Sequence, residues 1–227
     1  MQKVAVVFVG MALIFILSSC NLLNPQPLKA NLIADANNGW RDLFEKDLSN
    51  CLYKPASWVF EDEMLSLKGG GYIWTKEQYG DFILELEFKI PPKGNSGIFF
   101  RTTDINDPVQ TGIEIQVSDS YGRELRRGSC GAVYDCMAPS KNMAKKAEQW
   151  NHVILTCKDN KIYVVMNGRQ IIDMDLNLWT QPHKNPDGTK NKFSTAYKDM
   201  PRKGHIGFQD HGKPVWYRNM SIKSLDN

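Results

Sequence analysis

Beyond residue 17 the chain has no long apolar run, and a membrane-spanning helix needs about twenty such residues, so nothing after the N-terminus reads as one. Excess charge is also missing. Lys and Arg number 28 against 25 Asp and Glu, a formal net charge of +3 with no clustered basic face, which argues against a nucleic-acid partner. Helical periodicity is scarce: the one candidate of note is the short basic stretch 141–149, which reads as a loop-borne turn. No internal repeat and no second domain is visible. Cysteine is sparse, with Cys51, Cys130, Cys136 and Cys157 following Cys20 at spacings unlike a zinc site. An even count in an oxidising compartment permits disulfides in three connectivities, and Cys130 and Cys136 bracket a segment short enough to close as a small loop. Cys157 falls in the apolar alternation of HVILTCKD, and the reading leans toward buried free thiols over a bridge.

What is present begins with an address. Lys3, an apolar run from Val4 to Leu17, then Ser18, Ser19 and Cys20 have the parts of a secretory signal. Leu17-Ser18-Ser19-Cys20 resembles the bacterial lipobox, in which the Cys is acylated and becomes the new N-terminus. The expected organisation is a signal peptide over 1–19, a lipid-anchored tether over 20–30 with two prolines, and one domain over 31–227. A domain of that size buries roughly 70% of its unfolded surface. The protein is expected in the bacterial cell envelope, outside the cytoplasm, with acyl chains contributing about 0.8 kcal/mol per buried CH₂ to anchoring.

Strand signals dominate the rest. FILELEFKI (82–90) alternates strictly, and SGIFFR, TGIEIQVSD, WNHVILTCKD, KIYVVMNGRQI, GHIGFQD and PVWYRNMSIKSL continue the series. Turn residues separate them at 91–95, 158–161, 167–169 and 210–214. Many short strands with regular turns give an all-β sandwich or barrel. Residues 177–203 form a long polar stretch, expected to be a loop bordering the binding site whose shortening leaves the fold intact. Six Trp, eight Tyr and ten Phe suit either a β core or a cleft of flat rings for sugars. Trp150, Trp216 and His152 read as structural, with the two Trp in the core.

Period two sorts each strand into faces. Opposite Ile113, Ile115 and Val117 stand Glu114, Gln116 and Ser118. Opposite Ile98 and Phe100 stand Phe99 and Arg101. Opposite Ile206 and Phe208 stand His205, Gln209 and, if the strand runs on, His211. Carboxylate, amide, guanidinium and imidazole in organised rows are unusual for a merely solvated sheet and suit a concave sugar-binding face.

The stretches GNSGIFFR (94–101), GIEIQVSDS (112–120), CGAVYD (130–135), EQWNHVIL (148–155), MNGRQI (166–171) and GHIGFQDHGKPVWYRNMSI (204–222) resemble the 3-keto-disaccharide hydrolase family over nearly all of the mature domain. The resemblance implies a concanavalin A-like jelly-roll sandwich of two antiparallel sheets with a carbohydrate on the concave face of one. It implies a hydrolase or lyase that cleaves 3-keto-glycosides by C2 proton abstraction and elimination at C1. Glu114 or His211 is then the base and Arg101 the stabiliser of the enolate oxygen, with Gln116, Gln209, Asp210 and Tyr134 as substrate-binding candidates. A divalent metal ion is a candidate cofactor, with Glu114, Gln116 and His211 the ligands to consider. The alternative is a non-catalytic carbohydrate-binding lipoprotein of the same fold. A two-carboxylate glycosidase is weaker, for want of a second acid on that face. The sequence departs from the family pattern before the Asn167-Gly168 turn, where a His is common and this chain reads VVMNG.

The anchor is open to direct test. Cys20→Ser should lose membrane association and appear as a soluble or unprocessed species in cell fractionation; a variant that stays with the membranes as the parent does removes the lipobox reading.

Overall fold

The computed structural model describes residues 39–226; the expected leader, Cys20 and tether lie outside them. The alternating segments pair into two antiparallel sheets, as expected of a concanavalin A-like jelly roll. The larger sheet runs, edge to edge, β11 (Arg169–Asp175), β10 (Lys161–Met166), β9 (Asn151–Lys158), β6 (Phe82–Lys89), β13 (Trp216–Ser224), β4 (Met64–Leu67), β3 (Trp58–Glu61), with β1 (Trp40–Asp42) also beside β13. The smaller sheet runs β2 (Cys51–Tyr53), β5 (Ile73–Tyr79), β12 (Gly204–Phe208), β7 (Asn95–Thr102), β8 (Ile113–Ser118). The three strands carrying the polar rows, β12, β7 and β8, are therefore neighbours.

The core follows from the alternation. Along β6 every second residue from Phe82 to Phe88 is buried, and the intervening Ile83, Glu85, Glu87 and Lys89 are half-buried on the outer side. In the smaller sheet Ile115, Ile98, Phe208, Ile73 and Tyr53 fall in one register row on the inner side. Phe208 stacks on Tyr217 of β13 with ring centroids 3.9 Å apart, and Phe44 meets Phe208 edge-on at 5.4 Å. Each such pair is worth about 0.5–1.5 kcal/mol beyond its area. The buried Tyr217 hydroxyl is matched by Ser96 Oγ at 2.9 Å, and Ser96 in turn donates to the Gln209 carbonyl at 2.7 Å. That chain ties the end of β12 to the start of β7. Asn167 and Gly168 both take positive φ in the β10–β11 turn, which is what an Asn-Gly hairpin requires.

The one α-helix among the described residues is the short α1, Pro108–Thr111, opened by a proline that pre-sets φ, while 141–149 is loop and turn as expected. Several expectations are corrected here. Trp150 and Trp216 are not in the core. Half-buried near the outer face of the larger sheet, they flank Lys89, whose Nζ lies 5.2 Å and 4.9 Å from their rings. Arg101 does not share the face of Glu114. Its φ of 51° breaks the strand's alternation, and its side chain turns into the end of the sandwich, fully buried. There it donates to the Gly80 carbonyl, the Asp159 carbonyl and Asp81 at 2.9, 2.9 and 3.0 Å, joining the β5–β6 turn to the β9–β10 hairpin. A guanidinium so committed is an anchor, because removing one partner of a buried pair leaves the other uncompensated. The stretch 177–203 is also more than a polar excursion. Trp179, Phe193, Ala196, Tyr197 and Met200 are buried, so shortening it removes core as well as loop. The four cysteines are buried and free, as the sequence leaned, and burial pushes the thiols of Cys51, Cys130, Cys136 and Cys157 up to about 12. Met166, immediately before the Asn167-Gly168 turn, is a fully buried packing position.

Candidate functional site

The outward face of the smaller sheet is built from one register row. Glu114 of β8 stands opposite Phe99 of β7, Phe99 opposite Gly207 of β12, Gly207 opposite Trp74 of β5, and Trp74 opposite Leu52 of β2. Two glycines in this face are needed for room. A Cβ on Gly207 would stand 2.1 Å from the Trp74 ring, and one on Gly97 would stand 2.2 Å from Glu114 Oε1. The indole thus lies across β12 and the carboxylate across β7. Tyr72, just ahead of β5, closes an aromatic floor, with its ring 5.7 Å from Trp74 and 5.9 Å from Phe99. Phe99 and Trp74 are buried under this packing, and Tyr72 is the half-buried ring of the three that reaches solvent beside the carboxylate.

Glu114 is 6% exposed. The segment 131–134 runs along β8 with Tyr134 N–H donating to the Glu114 carbonyl and Gln116 N–H to the Ala132 carbonyl, at 2.9 Å each. This covers what would otherwise be a sheet edge. The side-chain carboxylate accepts no hydrogen bond from any described residue. Burial raises its pKa from an ordinary 4.5 to about 7, against the pull of the Lys192 ammonium. Lys192 comes from the long loop 177–203, which does border the site, and its Nζ donates to Tyr134 Oη at 2.9 Å.

The other candidates divide. Gln116 donates to Asn95 Oδ1 at 2.7 Å and, together with Ser118, Asp119, Arg123 and Tyr134, lines an open depression of about 330 Å³ that reaches Asn95 at the start of β7. Gln209 is buried and its amide donates to Tyr72 Oη at 3.0 Å, leaving the phenol's own proton for another acceptor. Burial is also the main cause holding the Tyr72 phenol above its usual pKa, so it stays protonated. Asp210 is corrected from substrate binding to loop fastening. Its carboxylate accepts the N–H groups of Gly70, Gly71 and Gly212 at 2.8, 3.0 and 2.8 Å, and these bonds outweigh its partial burial to keep it acidic. His211 is exposed in the turn after β12, which ends at Phe208, so the strand does not carry it into the row. The metal ligand set of Glu114, Gln116 and His211 does not assemble. Among the described residues no group of three or more His, Cys, Asp or Glu side chains is placed to hold a metal, and the Gln116 amide nitrogen is already engaged. Tyr72, Trp74 and Lys192 carry no signal in a strand-by-strand alternation, because Tyr72 precedes its strand and Lys192 reaches the site from a loop.

The raised Glu114 carboxyl has a measurable cost to folding. Below pH 4.5 it is protonated in both folded and unfolded chains and costs nothing. As pH rises through 4.5 the unfolded chain releases the proton first, so stability falls until pH passes about 7, by about 3 kcal/mol. Glu114→Gln should match the parent in urea unfolding at pH 4 and exceed it at pH 8. An identical pH dependence in the two proteins would show a carboxylate that is solvated instead of buried.

Comparison with known proteins gives this geometry its context. A curated 3-keto-disaccharide hydrolase of Bacteroides thetaiotaomicron is 25% identical over 225 residues, spanning 83% of this chain and 75% of the relative. A crystal structure from Parabacteroides distasonis ATCC 8503, provisionally named a glycosyl hydrolase, is 36% identical with a TM-score of 0.79, covering 83% of this chain and all of the other. A second protein of that organism with the same provisional name is 23% identical with a TM-score of 0.69, covering 83% and 95%, and speaks to the fold. Residues 39–223 match the family described as the 3-keto-alpha-glucoside-1,2-lyase-like domain, which takes in both sheets and the Glu114 face, and the chain belongs to that family.

Proposed function

We propose that this chain cleaves glycosides whose sugar carries a ketone at C3, by removing the C2 proton and expelling the substituent at C1. The observation that carries the reading is Glu114: a buried carboxylate without a hydrogen-bond partner, of pKa about 7, at the edge of an aromatic floor. A carboxylate poised near the working pH is well matched to general-base work. The family's description and the relative named a 3-keto-disaccharide hydrolase support the substrate class.

The C3 carbonyl acidifies the C2 hydrogen. Glu114 takes that proton, and the C–H electron pair delocalises onto the C3 oxygen as an enolate. The Tyr72 hydroxyl, whose oxygen already accepts from Gln209, supplies a hydrogen-bond donor for that oxygen in place of the committed Arg101. On collapse the C3 carbonyl reforms, a C1–C2 double bond forms, and the C1–O bond breaks with its electrons on the departing oxygen. Addition of water across C1–C2 completes a net hydrolysis. A two-carboxylate glycosidase gains no support, because Asp210 is occupied by three backbone amides and Glu85 and Glu87 lie on the outer side of the larger sheet.

On a panel of ordinary and 3-keto disaccharides, only the keto sugars should be cleaved. Their kcat/KM should rise about tenfold per pH unit up to the Glu114 pKa near 7 and then level. Glu114→Gln should lower turnover by about 10²–10⁴-fold. Binding of both sugar classes with cleavage of neither would make the protein a carbohydrate-binding lipoprotein, and near-parental turnover in Glu114→Gln would remove Glu114 from the chemistry.

A further inference from the structure

The elimination also needs a proton for the departing glycosidic oxygen. The Glu114 carboxyl protonated at C2 is one source, the amides of Gln116 and Gln209 are poor acids, and a second acid placed on the leaving-group side frees Glu114 from serving both steps. Tyr134 sits on the other side of Glu114 from the aromatic floor. Its backbone N–H is bonded to the Glu114 carbonyl, and its ring lines the depression with Gln116. Lys192 approaches it from the long loop, with Nζ 2.9 Å from the phenol oxygen and 4.3 Å from the ring centroid. Lys192 is itself held on both sides: its N–H donates to Asp135 Oδ2 at 2.9 Å, and its carbonyl accepts from Gln110 Nε2 at 3.2 Å. An ammonium only donates, so the Tyr134 oxygen is the acceptor in this pair. The phenol's own proton remains to be given away, and no described residue accepts it.

We propose that Tyr134 is the acid that protonates the leaving group, with Lys192 as the positioning residue that holds the phenol and the phenolate it becomes. The assignment rests on the elimination reading above. In the step, the C1–O bond breaks with its electron pair on the glycosidic oxygen, and that oxygen takes the Tyr134 proton. The resulting phenolate lies against the Lys192 ammonium. Glu114 ends protonated, and solvent restores both groups. The depression beyond Tyr134, lined by Gln116, Ser118, Asp119 and Arg123, then receives the departing group, whose class is a polar, hydroxyl-rich alcohol such as a second sugar.

The test uses two substrates with the same 3-keto sugar, one leaving as a sugar alcohol and one as p-nitrophenol, which departs without a proton. Tyr134→Phe should lower kcat/KM on the first by about 10²–10⁴-fold, the range for losing a general acid, and on the second by less than tenfold. Glu114→Gln should depress both. Lys192→Met should show the Tyr134→Phe pattern at smaller amplitude, with Lys192→Arg restoring most of the loss. The titratable groups in electrostatic reach of Glu114 are Lys192 and Tyr197 of the loop, Tyr72 beside β5 and Tyr217 of β13. Those three phenols are held above their usual pKa and are neutral, so Lys192 is the charge that acts, and Lys192→Met should move the acid limb of the pH profile upward. Equal losses on both substrates, or none, in Tyr134→Phe overturn Tyr134 as the acid while parental cleavage of the nitrophenyl substrate leaves the elimination standing. An unmoved acid limb with equal slowing of both substrates overturns the part given to Lys192. A parent that cleaves neither keto substrate sinks the reading of function, and this assignment with it.

Discussion

The outward face of the smaller sheet is arranged around Glu114, a carboxylate 6% exposed that no described residue bonds. A Glu taken out of water without a partner costs several kcal/mol when ionised, and a protein relieves this by supplying donors or by leaving the group protonated. Here Gly97 removes the side chain that would collide with Glu114, so the carboxylate lies flat across β7 with no donor in reach. The segment 131–134 is bonded along β8 beside it, and Lys192 of the long loop is fastened to the neighbouring Asp135. The price is a carboxyl whose pKa reaches about 7, which is also what makes it a usable base near neutrality. Structure and chemistry meet in the same constraint.

The rest of the sandwich holds that arrangement rigid. Polar groups that look reactive in sequence are spent on fastening: Arg101 joins the ends of two hairpins, Asp210 gathers three backbone amides, and Ser96 links Tyr217 to the Gln209 carbonyl. His205 is committed as well, with Nδ1 2.8 Å from the Thr75 carbonyl and Nε2 3.1 Å from the Gln78 amide. On the outer face His152 pairs with Glu85 at 2.7 Å and Glu87 with Arg218 at 3.0 Å. Along the Glu114 row, the Glu114 carboxylate and the phenol protons of Tyr72 and Tyr134 have no described partner; elsewhere the buried Thr102 and Tyr197 hydroxyls also lack one. The argument for where the chemistry sits is that the uncommitted carboxylate and phenols lie in one neighbourhood.

Much of this was legible in the sequence. The sandwich, the polar rows and the outward placement of Glu114, Gln116 and Gln209 follow from period two, whereas the adjacency of the three strands that carry them is a matter of topology that no strand's own pattern shows. Arg101 did not follow, since a single positive φ breaks the alternation and no residue type announces it. His211 did not follow because β12 stops at Phe208, and Asp210 because its partners lie about 140 residues earlier in the chain, on the glycines at 70 and 71. Tyr72 and Lys192 were missed for the same reason: long-range packing brings them in from outside the strands. The stretch 177–203 looked like a polar loop separable from the core because its apolar anchors, Trp179, Phe193 and Tyr197, are too widely spaced to form a periodic pattern.

The central claim is that the bond breaks by loss of the C2 hydrogen, and an isotope at that position reports on it directly. A 3-keto disaccharide deuterated at C2 should be cleaved more slowly than its protium counterpart, and its deuterium should pass to water. Product that retains the C2 deuterium, formed at an unchanged rate, would mean that the C1–O bond breaks without an enolate and would contradict the account.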